Sequence, residues 1–368
     1  MNVLNLIWAF STGGIGKCFL TYAKLDNFTS DLRVKSVCID IQNCNYDRSI
    51  LYKSNIDTIP IKSKFDISWI KQLKLMVAEV HPDIIFCHGF NGPIIVQILR
   101  ITTGISIPMV CTYHGKYHAP TAIKKPLAYI YNNLQALIYR HVAKKVFLVE
   151  NFSMKYLLSK RIPREKMVVV HNGISDNKEE TKSIKLSTDD LSIGLASRLD
   201  NVKGIEYLLE AVAILQKRNL PKFHVYILGD GPLEAKLKKM STDLGVDKFV
   251  SFLGYQKNIG EWLSSWDIFV LPSLFEYHSI ALLEAMRAGK AIVATSVGGN
   301  EESVRNSIEA LIISSKSSSA IADALETLLV DEKLRKKLGE NARNRFKLEF
   351  TEEVMMRNLA IELMKIDF

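Results

Sequence analysis

From end to end the sequence alternates between short apolar runs of strand length and stretches with helical spacing, and it does so in two separate series. The first series of strand candidates covers residues 3–9, 34–40, 84–87, 109–112, 146–149 and 167–170. The second covers 192–196, 224–228, 250–253, 268–271, 291–294 and 310–313. Near-continuous apolar strands separated by helices require parallel sheets covered on both faces, which predicts an α/β chain of two doubly wound halves. Between the series, residues 174–190 (ISDNKEETKSIKLSTDD) are polar and free of aromatics and read as a linker. The length, 368 residues, exceeds what one core usually holds. The expected domains are 1–175 and 176–350, with helical spacing over 351–364 suggesting that the last segment, 351–368, returns to the first. In open parallel sheets, ligands bind beyond the carboxyl ends of the strands, so two facing halves would share a central cleft.

Charge divides as sharply as the pattern. Residues 1–175 hold 22 Lys and Arg against 10 Asp and Glu, a net of +12, whereas 176–368 hold 26 against 29, a net of −3. The first half should therefore meet an anionic partner, and charge alone leaves phosphorylated lipid, a bilayer surface or nucleic acid. No apolar run has the roughly 18 residues of a membrane-spanning helix, and MNVLNLIWAF lacks the basic start of a secretory signal, so a cytoplasmic protein is expected. Cys18, Cys38, Cys44, Cys87 and Cys111 form no CxxC pair and sit mostly in apolar runs, which reads as reduced core residues.

The most informative stretch chemically is residues 272–302, PSLFEYHSIALLEAMRAGKAIVATSVGGNEE. Ser279 is a suitable N-cap, Ile280 begins a run of helix formers, and Gly289 is a suitable stop. Glu276 then falls in the loop before the helix and Glu284 about one turn inside it. Free N–H groups at Ser279, Ile280 and Ala281 would face an anionic phosphate, with the two acids beside hydroxyl-rich sugars. Arg198 and Lys203, in SRLDNVKG, follow the first strand of the second half and could neutralise a diphosphate without a metal. STGGIGKC, residues 11–18, fails both the P-loop and the dinucleotide fingerprints. It leaves a glycine turn in which Gly13, Gly14 and Gly16 allow close approach of backbone to ligand. His114, in TYHG, follows a strand; with His118 it has zinc-like spacing, but no acid lies between them as in HExxH and Gly115 weakens a helix there.

In order along the chain, GGIGK, TYHG, HNGIS, SRLDNVKG, GDGP, FLGY, PSLFEYHSIALLEA and GGNEE resemble the retaining glycosyltransferases of family GT4, which have the GT-B fold: two Rossmann-like domains facing a central cleft. The resemblance implies that Gly14 and Gly16 approach donor phosphate and acceptor, and that His114 lies close to the donor sugar. It assigns Arg198 and Lys203 to the diphosphate, Glu276 to the transferred sugar, Glu284 to the ribose, backbone at His278, Ser279, Ile280 and Ala281 to the phosphate, and Gly254 and Tyr255 to the base. The family pattern is broken at Tyr277, Ala291 and Ser175, where a small residue, a Gly-x-Pro and an acid are usual. These departures bear on the sugar chosen more than on the reaction.

The expected activity is metal-independent hexosyl transfer from a UDP- or GDP-linked sugar to a hydroxyl, with retention of configuration and no cofactor. The expected acceptor is a glycan or lipid-linked saccharide of envelope polysaccharide or lipopolysaccharide synthesis, and nucleic acid is not among the implied partners. A 2-epimerase of the same fold and a non-catalytic sugar-nucleotide binder are the alternatives. Residues 120–145, PTAIKKPLAYIYNNLQALIYRHVAKK, mix basic and apolar side chains in a way that suits a helix lying on the inner face of the cytoplasmic membrane, and equally a buried helix with basic ends.

Overall fold

The computed structural model describes residues 1–10, 14–41, 48–63, 65–116, 125–176, 183–186 and 190–367. It divides into two compact units, Met1–Asn172 with Glu352–Phe368, and Gly173–Thr351.

The first unit is built on a seven-stranded sheet. Its strands are β1 (Asn2–Trp8), β2 (Arg33–Ile41), β3 (Asp57–Ile61), β4 (Ile84–His88), β5 (Met109–Tyr113), β6 (Lys145–Leu148) and β7 (Met167–Val169). They run in the order β3-β2-β1-β4-β5-β6-β7, and every pairing is parallel. Side chains alternate between two cores. Leu4 and Leu6 of β1 join Trp69, Leu73, Val96 and Leu99 on one face, while Val3 joins Cys18, Phe86, Met356 and Leu363 on the other. The helices Trp69–Val80, Asn91–Thr103 and Lys125–His141 cover the first face; Gly14–Tyr22 and the C-terminal helix Glu352–Met364 cover the second. Each such buried aliphatic or aromatic side chain contributes roughly 1.5–3 kcal/mol.

Sequence reading missed β3. Its segment, DTIPI, is five residues long and contains Pro60, a residue that argues against a central strand but is tolerated at a sheet edge, where β3 lies.

The second unit carries a six-stranded parallel sheet of β8 (Leu191–Ala196), β9 (Phe223–Leu228), β10 (Val250–Phe252), β11 (Ile268–Leu271), β12 (Ala291–Thr295) and β13 (Ala310–Ile313). The order is β10-β9-β8-β11-β12-β13, so the chain reverses its direction of travel between β8 and β11. Ile268 and Val270 of β11 face the helices Ile205–Leu215 and Ser318–Val330; Phe269 and Leu271 face Ile280–Arg287 and Glu332–Glu349. In both units the chain reverses beside the first strand, and crevices at such points are where ligands settle on α/β sheets.

Two expectations change. The segment expected to be a linker does not begin as a free tether: Ile174 bridges to Thr351, the Ser175 carbonyl accepts from Arg287 at 2.9 Å, and Asp176 makes a two-pronged ion pair with Arg343. Leu186 packs on the second unit's core. The either-or reading of 120–145 also gives way over its described part, because the helix Lys125–His141 buries Ala128, Ala136, Ile138 and Tyr139 while Leu127, Ile130, Leu134 and Leu137 are 41–61% exposed. Cys18, Cys38, Cys87 and Cys111 are buried, and Cys44 lies outside the described residues. No described helix is long and apolar enough to cross a membrane.

Candidate functional site

The centre of the site is the loop that leaves β11. Ser273, fully buried, donates its hydroxyl to Glu276 Oε1 at 2.7 Å, and its carbonyl accepts from Thr295 Oγ1 at 2.6 Å. Asn300 Nδ2 donates in turn to the Thr295 carbonyl at 3.0 Å. Behind the acid sits the Gly298–Gly299 turn. Gly298 has φ +54°, a Cβ there would lie 1.6 Å from the Glu276 carbonyl oxygen, and Gly299 N–H donates to the Tyr277 carbonyl at 2.9 Å. Only glycine permits that approach, so the turn fixes the backbone that carries Glu276.

Lys203 reaches Glu276 by a second braced loop. After β8, Asp200 caps a short 3₁₀ turn, Asn201–Lys203, by accepting from Val202 N–H at 3.2 Å. Leu274 N–H donates to the Val202 carbonyl at 2.8 Å, and Gly204, at φ +60°, lies so close to Pro272 that a Cβ would be 2.3 Å from its carbonyl oxygen. The loops after β8 and β11 are thereby zipped together. The result is a Lys203 Nζ to Glu276 Oε1 contact of 2.7 Å, with the carboxylate 10% and the ammonium 21% exposed. A charge pair this enclosed is shielded from salt and positioned before any ligand arrives.

Arg198 behaves differently. Its side chain is 71% exposed and its Nε lies 4.0 Å from Asp200, so it stands at the same strand end without joining the Lys203–Glu276 pair.

The helix Ile280–Arg287 begins where the sequence indicated. Ser279 accepts from Leu282 N–H, the first helical bond runs from Leu283 N–H to the Ser279 carbonyl, and Gly289 follows the last turn at φ +66°. Ile280 and Ala281 precede that first bond, leaving their N–H groups to the helix start. His278 directly precedes the Ser279 cap; its ring packs against Phe350 and its Nε2 is 3.3 Å from Ser303 Oγ. Glu284 is half-buried one turn into the helix. At the ends of β9 and β10, Gly229 N–H donates to the Gly254 carbonyl at 2.8 Å, and Leu199 N–H to the Asp230 carbonyl at 2.7 Å. Tyr255, next to Gly254, is 64% exposed.

The first unit holds the remaining candidates. Gly14 and Gly16 fall within the first turn of the helix Gly14–Tyr22, Gly14 exposed and Gly16 buried, whereas Ser11, Thr12 and Gly13 lie outside the described residues, as does His118. A Cβ on Gly14 would meet nothing within 4 Å. His114 follows β5, and its Nε2 is buried with no hydrogen-bond partner among the described residues. Burial pulls its pKa from 6.5 down to about 4, so the ring is neutral at pH 7. Sequence reasoning overlooked its neighbour His88. That ring is buried, sits 3.0 Å from Thr112 Oγ1 and 2.5 Å from Asn5 Oδ1, and is held neutral by burial first and by His114 second. Asn5 continues the row to Ser36 at 2.8 Å. The one sequence hint was a lone Asn inside the apolar run of β1.

Comparison with known proteins supplies the class. Residues 176–345 match the family model of glycosyl transferases group 1, and residues 48–178 that of glycosyltransferase family 4. Anabaena HepE, solved with UDP, superposes with a TM-score of 0.80 at 18% identity over 99% of this chain and 100% of that one. The fold is therefore that of the GT-B glycosyltransferases.

The chain belongs to glycosyltransferase family 4, the group 1 transferases. Among curated relatives, the uncharacterized glycosyltransferase MJ1607 of Methanocaldococcus jannaschii is 30% identical over 217 residues, 55% of this chain and 54% of that protein. The chain thus spans about half the length of that relative. It matches more of the Escherichia coli UDP-Gal:alpha-D-GlcNAc-diphosphoundecaprenol alpha-1,3-galactosyltransferase, at 25% identity over 297 residues and 76% of each chain.

Proposed function

We propose that the protein moves a hexose from a nucleoside diphosphate sugar, UDP- or GDP-linked, to a hydroxyl of a glycan or lipid-linked saccharide, with retention at the anomeric carbon. Envelope polysaccharide or lipopolysaccharide synthesis is the setting. The curated E. coli relative, named for transfer to a diphosphoundecaprenol-linked sugar, and HepE, solved with UDP and with UDP-glucose, support that choice of substrates.

The observation that carries this reading is the Lys203–Glu276 pair, held by two glycine turns at the carboxyl ends of β8 and β11. A diphosphate arriving there competes with Glu276 for the ammonium. Lys203 then neutralises charge on the leaving phosphate, Glu276 is released to accept hydrogen bonds from sugar hydroxyls, and N–H groups at the start of Ile280–Arg287 take the remaining oxygen. Arg198, exposed at the same strand end, closes over the same phosphates. Glu284 takes the ribose hydroxyls, while Gly254 and Tyr255 border the base. The neutral ring of His114 suits a hydrogen bond to a sugar hydroxyl.

Retention follows if the acceptor oxygen attacks on the face the diphosphate leaves. The C–O bond to the phosphate breaks as the new glycosidic bond forms, and the acceptor proton passes to the departing phosphate oxygen. Positive charge comes from side chains, so the scheme asks for no metal.

The test is release of nucleoside diphosphate from UDP- and GDP-hexoses, with and without an acceptor, before and after EDTA. Acceptor-dependent release unaffected by EDTA is the expected result. Release of free nucleotide without any acceptor would point to the epimerase chemistry instead.

A further inference from the structure

Near its end the second unit has a helix, Glu332–Glu349, that supplies nothing to the proposed reaction, yet one of its side chains reaches the loops that brace the site. Arg345, 14% exposed, donates through Nη2 to the Glu302 carbonyl at 3.0 Å and brings Nη1 to 3.5 Å from Glu309 Oε2. Its guanidinium also stands 5.8 Å from the centre of the Phe350 ring, within the range of a cation–π contact. Glu309, 1% exposed, is shared with Arg305, whose N–H and Nε donate to it at 2.8 and 3.1 Å. Replacing Arg345 therefore leaves that buried acid paired.

Two routes run from this one guanidinium to the donor side. Glu302 belongs to the helix Asn300–Ser303, which has four residues and cannot satisfy its own last carbonyls. Held at Glu302, that helix fixes the Gly298–Gly299 turn from which it starts, and the turn in turn holds the backbone of Glu276 and Tyr277. The second route passes through rings. Phe350 lies 5.5 Å from the His278 ring, His278 Nε2 is 3.3 Å from Ser303 Oγ, and the residue after His278 is the cap Ser279. Phe350, His278 and Ser303 are each no more than 5% exposed, so a shift in one presses directly on the next.

We propose that Arg345 is a positioning residue for glycosyl transfer: without touching the donor, it sets the Glu276 loop and the start of the helix Ile280–Arg287 in register with each other. It rests on the donor reading given above and deepens it. The carboxylate and the N–H groups must meet different parts of one ligand, and a misplacement of an ångström between them is costly in rate. Arg218 gives the contrast with a purely structural arginine. It pairs with Asp323 at 2.9 Å and with Glu326, both on the helix Ser318–Val330, which covers the opposite face of the sheet from Glu332–Glu349.

Calorimetric titration of the full chain with UDP and with GDP, followed by steady-state rates with the matching hexose donors, tests it. All measurements are made well below the melting temperature of each variant. Arg345→Met should weaken nucleotide binding about tenfold and lower kcat/KM for the donor by roughly 10- to 100-fold, while the KM for acceptor stays unchanged. Arg345→Lys, which keeps a donor for the Glu302 carbonyl, should recover part of both losses. Ser303→Ala, which removes the hydroxyl beside His278, should weaken nucleotide binding in a milder form. Arg218→Ala should lower the melting temperature and leave binding and rates as they are in the wild type. Arg345 variants that melt lower but bind and turn over like the wild type would overturn the proposal. If Arg345→Met does not fold, unchanged nucleotide affinity in both Arg345→Lys and Ser303→Ala would overturn it equally. A wild type that binds neither nucleotide would remove the donor reading, and this inference with it; variants that match a wild type able to bind would remove this inference alone.

Discussion

The two units bring candidate site residues to strand ends in opposite ways. In the second unit the loops are locked to one another through backbone: Gly204 against Pro272, Gly298 against Glu276, and Gly229 against Ser197, each so close that a Cβ would fall within 2.3 Å of a carbonyl oxygen. In the first, a Cβ on Gly14 would meet nothing within 4 Å, and His114 Nε2 meets no partner among the described residues. One side has its geometry set by its own fold. The other keeps room and an unspent hydrogen-bonding atom, which suits a surface whose ligand completes it.

The largest effect that would break this comparison is expected at Lys203. If the braced pair exists to meet a diphosphate, Lys203→Ala should lower kcat/KM by about 10²- to 10³-fold, as loss of one preorganised charge donor does. Steady-state rates with a saturating acceptor measure it, and an unchanged rate would leave the pair a structural feature. Arg198→Ala, at an exposed position paired only loosely with Asp200, should cost less, roughly threefold to tenfold, with stability unchanged. Equal losses at the two positions would mean that the enclosure of Lys203 adds nothing.

Gly298→Ala attacks the bracing instead of the charge. Its methyl would collide with the Glu276 carbonyl, and its φ of +54° disfavours any L side chain, so a loss of roughly 2–3 kcal/mol in thermal or denaturant unfolding is expected together with a loss of donor binding. A variant with full stability but no donor affinity would show the turn to be shaped for the ligand alone.

The two histidines give a pH-dependent contrast. Both His88 and His114 have pKa values depressed by burial, so for His114 the unfolded chain binds more protons than the folded one between pH 6.5 and about 4, and His88 acts in the same direction. Stability should therefore fall as pH falls through that window, by up to roughly 1.4 kcal/mol per pH unit for His114. Denaturant titrations across that range check it. His114→Gln should flatten part of the slope, and an unaltered slope would place the proton uptake elsewhere.

What the sequence disclosed follows from the range over which each feature acts. Local periodicity and capping showed the parallel strands, the Ser279 cap and the Gly289 stop, because neighbours along the chain decide them. β3 was hidden by Pro60, whose cost depends on whether a strand is at an edge, a fact of topology and not of composition. At the site, residue identities such as Glu276 and Lys203 were legible as motifs. Their supports were not: Ser273, Thr295 and Asn300 act through contacts between separate loops, and nothing in a run of small polar residues signals such contacts. The helix over 125–141 shows the same limit. Its apolar residues suited burial or exposure equally, and only packing against the sheet decides which face turns outward.

Gly14→Ala has the smallest structural effect and draws the sharpest line between the units. Gly14 opens a helix, does not have a positive φ, and leaves free space where a methyl would go. Alanine is the better helix former by about 0.5–1 kcal/mol, so the variant should be as stable as the wild type or slightly more so. If the glycine is there for a ligand, the methyl instead occupies space that a phosphate or an acceptor hydroxyl needs, and the KM for acceptor should rise about tenfold, near 1.4 kcal/mol, with unfolding unimpaired. Gly298→Ala should lose stability and activity together, and Gly14→Ala should lose activity alone. A Gly14→Ala enzyme with unchanged kinetics would make that glycine an ordinary helix start, and would leave the second unit as the only one whose glycines answer to a ligand.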